Sequence, residues 1–137
     1  MGANTPAAGA FTTLTATGDI YTNAWADYSA TSTVVGWSSF VAKQVYIKKI
    51  GKTVFVQYSI TGTSDSVTTT FTVPYTISMP ANSITLGRTY DGTSRAAIIG
   101  ITAGGTNVIT LNKDIDGAAF ANSGDKYCYG QFWYQSA

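Results

Sequence analysis

The sequence predicts an all-β protein, an antiparallel β-sandwich of jelly-roll type, and three observations carry that expectation. Apolar and polar residues alternate with a period of two in run after run. Gly, Ser, Asn and Pro separate the runs at short intervals, and no stretch sustains a helical period. Together these give about eight to ten short strands, the pattern of a two-layer β fold. The 137 residues suffice for one domain built around one core.

Taken in order, residues 2–17 (GANTPAAGAFTTLTAT) are small, threonine-rich and almost uncharged. Phe11 and Leu14 recur there at a spacing of three, with Ile20 in the same phase, but the threonines between them are poor helix formers. A segment unable to bury Phe11 and Leu14 alone can bury them around a three-fold axis. Residues 1–18 are therefore read as an extended stalk ordered in a homotrimer, and residues 19–137 as the head. From Asp19 to Phe40 a dense set of aromatics, Tyr21, Trp25, Tyr28, Trp37 and Phe40, lies on short extended segments. Trp25 and Trp37 are read as fillers of a core or subunit contact rather than sugar platforms.

The strongest signal is a hairpin. Val45 and Ile47 alternate with Tyr46 and Lys48, Ile50-Gly51-Lys52 turns the chain, and Val54, Val56, Tyr58 and Ile60 alternate with Phe55, Gln57 and Ser59. A loop is expected at Gly62-Thr63-Ser64-Asp65. A third strand follows, with Phe71 and Val73 on one face and Thr70 and Thr72 on the other, stopped by Pro74 because proline cannot donate to a ladder. Tyr75, Ile77 and Met79 alternate more weakly. Ile84 to Tyr90 reads as a strand with a bulge expected at Gly87, and Asp91-Gly92 is the strongest two-residue turn signal in the chain. The next strand, Ala96 to Ile101, is apolar on both sides and so central or at a subunit contact. Val108 to Leu111 is its partner, and residues 112–124 form a long loop. The last strand, Lys126 to Gln135, has two faces. Cys128, Gly130, Phe132 and Tyr134 are assigned to the core, and Tyr127, Tyr129 and Trp133 to an outward aromatic row that meets a neighbouring subunit or a ligand.

Composition excludes several classes of function. Charged residues make up 11% of the chain and the formal net charge is +1, without the basic footprint of a nucleic-acid binder. Lys43, Lys48, Lys49 and Lys52 form one basic concentration, read as a solvated edge that discourages strand addition rather than as a phosphate tracker. No apolar run is long enough to insert in a membrane, and the start of the chain lacks the pattern of a signal peptide, so synthesis in the cytoplasm is expected. Cys128 is alone, which rules out an intrachain disulfide, and its setting between tyrosines marks an inert core thiol.

Catalysis is not expected. There is no histidine and no glutamate, hence no Ser/His or Cys/His pair and no imidazole for zinc. All seven carboxylates are aspartates. Asp114 and Asp116 read as a turn-forming cluster rather than a catalytic pair or a calcium loop, because only Asp114-x-Asp116-Gly117 of a ligand array is present. Gly104-Gly105 lacks the lysine and helix of a phosphate loop. No cofactor and no metal site is expected.

Two stretches carry a resemblance. Asn4 to Gly18, NTPAAGAFTTLTATG, resembles the T-P-x-A-G-x-F-T-T-L-x-A-T-G segment that recurs in bacteriophage tail fibres and tailspikes ahead of a C-terminal head domain. It occurs here once, where the multi-copy pattern repeats it. The run from Val34 through Gly51-Lys52-Thr53-Val54-Phe55-Val56 and Gly62-Thr63-Ser64 to Phe71-Thr72-Val73-Pro74 is similar to the hairpin, G-T-S loop and F-T-x-P closing strand of such heads. The Gly-x-Phe-x-Tyr ending of the last strand resembles their closing strand. The resemblance covers most of the first 75 residues.

It implies a virion structural protein, the trimeric tip of a tail fibre that works beside other phage tail proteins. Such a tip attaches to a glycan or an outer-membrane protein of the host cell without hydrolysis, through loops at its distal end. On that footing the ligand candidates are Tyr90, Asp91, Arg95, Asn112, Asp114, Asp116 and Asn122. The trimer-contact candidates are Phe11, Leu14, Ile98, Tyr127, Tyr129 and Trp133. Two alternatives stay open: an architectural trimerisation or cap domain of a fibre, and a carbohydrate-binding module of a tailspike depolymerase.

Overall fold

The computed structural model describes residues 24–78, 86–100 and 105–137. The expected stalk, with Phe11 and Leu14, lies outside them, as do Met79, Ile84 and the Gly104 end of the Gly-Gly turn. Nine strands are described: β1 (Ala26–Asp27), β2 (Val34–Val35), β3 (Trp37–Ile50), β4 (Thr53–Ser64), β5 (Thr70–Thr72), β6 (Leu86–Tyr90), β7 (Ser94–Gly100), β8 (Val108–Leu111) and β9 (Asp125–Gln135). Every pairing among them is antiparallel, and no helix occurs among the described residues.

The hydrogen-bonded order is β1-β3-β4-β9-β6-β7-β8-β5-β2. β7 turns this ribbon into two layers. Its first part pairs with β6, and its last residues, Ile99 and Gly100, pair with Leu111 and Thr110 of β8. One layer is thus β1-β3-β4-β9-β6-β7, and the shorter β8-β5-β2 lies against it. The alternation read from the sequence explains the contact between them. Val54, Val56, Tyr58 and Ile60 of β4 and Cys128, Phe132 and Tyr134 of β9 all point inward, where they meet Phe71, Ile109 and Leu111 from the other layer. The Phe71 ring sits 5.2 Å from that of Tyr58 and 6.2 Å from that of Phe132, centroid to centroid. Burying the Phe71 side chain completely contributes roughly 2–3 kcal/mol from the transfer of its apolar surface alone.

Four local expectations need correction. No loop forms at Gly62-Thr63-Ser64, because β4 runs on to Ser64 beside both β3 and β9. β3 starts eight residues before Val45, at Trp37, and reaches this length by slipping twice against β4, between Trp37 and Ser39 and between Phe40 and Ala42. Gly87 is not bulged: the β6–β7 register runs unbroken from Leu86↔Ile98 to Tyr90↔Ser94. Asp91 and Gly92 do not form a two-residue turn, since the Tyr90↔Ser94 pair leaves three residues in the loop, with Gly92 at φ 93°. Trp37 is a core residue as expected, whereas Trp25 is 44% exposed on the chain and is no part of the core.

The slips in β3 depend on a glycine. A Cβ on Gly62 would lie 1.9 Å from the carbonyl oxygen of Ser39, a backbone atom with no freedom to withdraw. Gly130 plays a similar part deeper in the core, where a Cβ would lie 2.7 Å from the hydroxyl of Tyr58, so the glycine lets that ring lie flat on β9.

At one end of the sandwich the interior holds a charge. Lys126 has no solvent exposure. Its ammonium donates to the Thr69 hydroxyl at 2.9 Å and the Ser66 carbonyl at 3.2 Å, and lies 4.5 Å and 5.0 Å from the ring centroids of Trp37 and Phe120. Trp37 Nε1 in turn donates to the Lys126 carbonyl at 3.2 Å. Burial pushes the ammonium below the ordinary lysine value, with Cys128, Asp65 and Asp91 opposing that shift.

Two outcomes are expected. Gly62→Ala lowers stability by about 3 kcal/mol, read as a fall of roughly 10 °C in a thermal melt; an unchanged melt would mean that β3 and β4 do not approach so closely. The folded state binds protons at Lys126 less readily than the unfolded chain does, so this residue's contribution to stability rises with pH up to the ordinary value of 10.5. The urea midpoint of the wild type should therefore gain on that of Lys126→Met between about pH 7 and about pH 10.

Candidate binding face

The outward residues of the six-stranded layer form cross-strand rows fixed by register. One row joins Ala42, Thr61, Tyr127 and Tyr90, and the next joins Gln44, Ser59, Tyr129 and Arg88. A third joins Tyr46, Gln57 and Gln131, and a fourth Lys48, Phe55 and Trp133. Directly opposite residues in an antiparallel pair point to the same side, so these groups share one surface. The second layer covers only the opposite side. Aromatic rings and carboxamides therefore share a face that the second layer of the described residues leaves open.

Two recesses shape this face. The larger, about 460 Å³, is lined by residues of β3, β4 and β9, including Gln44, Tyr46, Gln57, Ser59, Tyr129 and Gln131, and among the described residues no charged side chain lines it. The smaller, about 320 Å³, is walled by Trp25, Phe55 and Trp133 and shares Gln131 with the first. Trp133 is 55% exposed. At the other end the Tyr90 and Tyr127 rings stack 4.4 Å apart and 2° from parallel, and Tyr129 follows at 5.7 Å from Tyr127. Burial, and then the neighbouring phenols of Tyr90 and Tyr129, push the ionisation of Tyr127 upward, so its hydroxyl stays protonated and able to donate. Arg88 is held by the Ser94 hydroxyl at 3.2 Å.

The loop candidates sit elsewhere and are only partly gathered. The Asp91 carboxylate accepts the backbone N–H of Ala121 at 2.9 Å and faces the Lys113 ammonium at 3.5 Å, with its side chain almost wholly buried. It is occupied as a brace between the β6–β7 hairpin and the loop of residues 112–124. Thr89 adds to the brace by donating its hydroxyl to the Lys113 carbonyl. Asp114 is the Asx turn expected of it, accepting from the N–H groups of Asp116 at 3.2 Å and Ala118 at 3.0 Å. Asp116 and Asn122 are exposed in the same loop, Asn112 is half-buried at its start, and Arg95 is exposed on β7 opposite Thr89. Tyr90 belongs to the sheet face rather than to the loop cluster. Of the contact candidates, Tyr127, Tyr129 and Trp133 lie on the outward face, and Ile98 pairs with Leu86.

Compared with protein-family models, with curated proteins and with solved structures, the chain matches none.

Chemically the face can stack and hydrogen-bond. The thiol of Cys128 is buried and pushed up to about 12, chiefly by that burial, so it is not a nucleophile at neutral pH. Lys43 and Lys49 lie over the Phe40 and Tyr75 rings at 5.8 Å and 4.2 Å, and Lys43 also donates to the Ser32 carbonyl. Among the described residues no three Cys or Asp side chains gather as metal ligands. Sequence reasoning found the aromatics of β9 but missed Gln44, Gln57, Ser59 and Gln131. Their alternation was visible; the register that sets them side by side was not. Lys126 was missed too, although it shares the inward phase of Cys128 and Phe132.

Native protein treated with iodoacetamide near neutral pH should stay unmodified at Cys128 and become fully modified in denaturant, as read by mass spectrometry; labelling of the native chain would contradict the buried placement.

Proposed function

We propose that this chain is the head of a bacteriophage tail fibre, a jelly-roll-type sandwich that works as a homotrimer in the virion and attaches to the host cell surface without cleaving it. One observation carries the attachment role: the face of the six-stranded layer opposite the second layer, where Tyr127, Tyr129 and Trp133 stand among carboxamides. An aromatic surface of this extent on a soluble domain is used for contact. The phage assignment rests on the resemblance of residues 4–18 and of the hairpin region to fibre sequences. A non-hydrolytic role is supported by a chain without histidine or glutamate, whose thiol is buried. Three copies acting together offset a weak single site.

One observation favours a second reading, an architectural cap. Phe40 and Val41, 44% and 85% exposed, stand where β3 slips against β4, and such knobs suit contact between copies of the chain.

Light scattering of the full chain should give a mass of about three chains, consistent with closed symmetric assembly, and the labelled protein should bind a subset of bacterial strains saturably without releasing reducing ends. A freely soluble single chain that binds no strain would overturn the attachment reading. A trimer that binds none would favour the cap.

A further inference from the structure

We infer that the recess across β3, β4 and β9 binds an internal segment of an uncharged polysaccharide, so that recognition lies on the sheet rather than in the distal loops. This rests on the attachment reading above and adds to it the site and the ligand class.

The lining decides the class. Gln44, Gln57 and Gln131 bring three carboxamides into one recess, and each offers both a donor and an acceptor, the pattern needed for sugar hydroxyls that also do both. Ser59 and the phenols of Tyr46 and Tyr129 add groups of the same dual kind, while their rings give flat apolar walls for the C–H faces of a sugar ring. A purely apolar ligand would strip water from three carboxamides and give nothing back, at a cost of about 1–3 kcal/mol for each unsatisfied group. An anionic ligand would find no lysine or arginine among the described residues that line the recess. The charges beside it are Arg88, one strand away opposite Tyr129 and hydrogen-bonded to the neutral Ser94, and Lys48 in the Phe55 row, neither of them among the lining residues.

The same chemistry argues against a second copy of the chain as occupant. In a closed trimer the contact is heterologous, so a neighbour would bring a different surface to this face, and a dry contact would cost the three carboxamides their water unless that surface matched each of them.

Shape decides that the ligand is a chain and not a single ring. At about 460 Å³ the recess falls in the size range of small-ligand sites. Gln131 also lines the neighbouring cleft of about 320 Å³ between Trp25, Phe55 and Trp133, so the two recesses adjoin on one face. From Tyr127 to Trp133 the face extends roughly 20 Å along β9. Because these groups stand on paired strands, no loop has to be ordered on binding, and the ordering cost falls on the three exposed glutamine side chains.

The test uses the full-length protein on an array of neutral and acidic bacterial polysaccharides, with Gln57→Ala, Gln131→Ala and Tyr129→Ala beside the surface control Val67→Ser. The expected result is binding to one or more neutral polysaccharides, weakened at least about tenfold by each site substitution and unchanged by the control. Thermal melts and light-scattering mass should match the wild type, which separates lost binding from lost folding. The inference is overturned if only acidic polysaccharides are bound, if no neutral one is bound, if the site substitutions leave binding intact, or if they lower the mass, the last result marking a subunit contact. A cell-binding assay keeps the two readings apart. Binding to cells that survives both periodate oxidation of surface glycans and the three substitutions would remove this site while leaving attachment in place. Failure of the wild type to bind any cell would remove attachment itself.

Discussion

Register between β4 and β9 is the constraint on which the rest depends. It runs without a slip from Thr53↔Gln135 to Thr63↔Asp125, and β3 and β6 are attached to its two sides. Because side chains alternate with a period of two, displacing one strand by a single residue would turn Gln131 and Trp133 inward and expel Phe132 and Tyr134. The core thus selects the outer surface: Val56, Ile60, Phe132 and Tyr134 hold the ladder in phase because a one-residue slip would turn one strand's set out of the core. The carboxamides are carried into their rows as a by-product.

Two glycines make the packing possible, in different ways. Gly62 admits the backbone of β3, and without that approach the long strand would not stay paired through its two slips. Gly130 admits a side chain, allowing Tyr58 to lie across β9. Lys126 shows a third solution to crowding. A cation in the interior carries a desolvation penalty, here countered by two oxygen acceptors and two aromatic faces rather than by a directly contacting carboxylate. Its ammonium lies within 5.0 Å of the ring centroids of both Trp37 and Phe120.

Much of the fold was legible from the sequence because the dominant signal is local. The alternation of Val54, Val56, Tyr58 and Ile60 names a strand and its inner face without reference to anything distant, and the same holds for Cys128, Phe132 and Tyr134. The Gly51 turn was legible for the same reason, as glycine takes the positive φ of 60° found there. Pairing over long sequence separations was not legible. Nothing local tells Gln57 that its neighbours are Tyr46 and Gln131, so the recess they form could not be read. Gly62-Thr63-Ser64 was misread because its turn-like composition serves a close strand approach, and Gly87 because a glycine within a strand signals a bulge and a crowded neighbour equally well.

The loop of residues 112–124 is anchored by the buried Phe120 ring, by Lys113 on Asp91 and, over the rest of its length, mainly through main-chain groups. Asp91 receives the N–H of Ala121, Thr89 and Ser64 donate to the carbonyls of Lys113 and Ala121, and Asp114 closes its turn on two further N–H groups. Peptide groups are common to all residues, so most side chains of this segment can be exchanged without loosening its anchorage. The fold thereby keeps a rim whose chemistry is free to diversify under selection while the sheet beneath it stays the same.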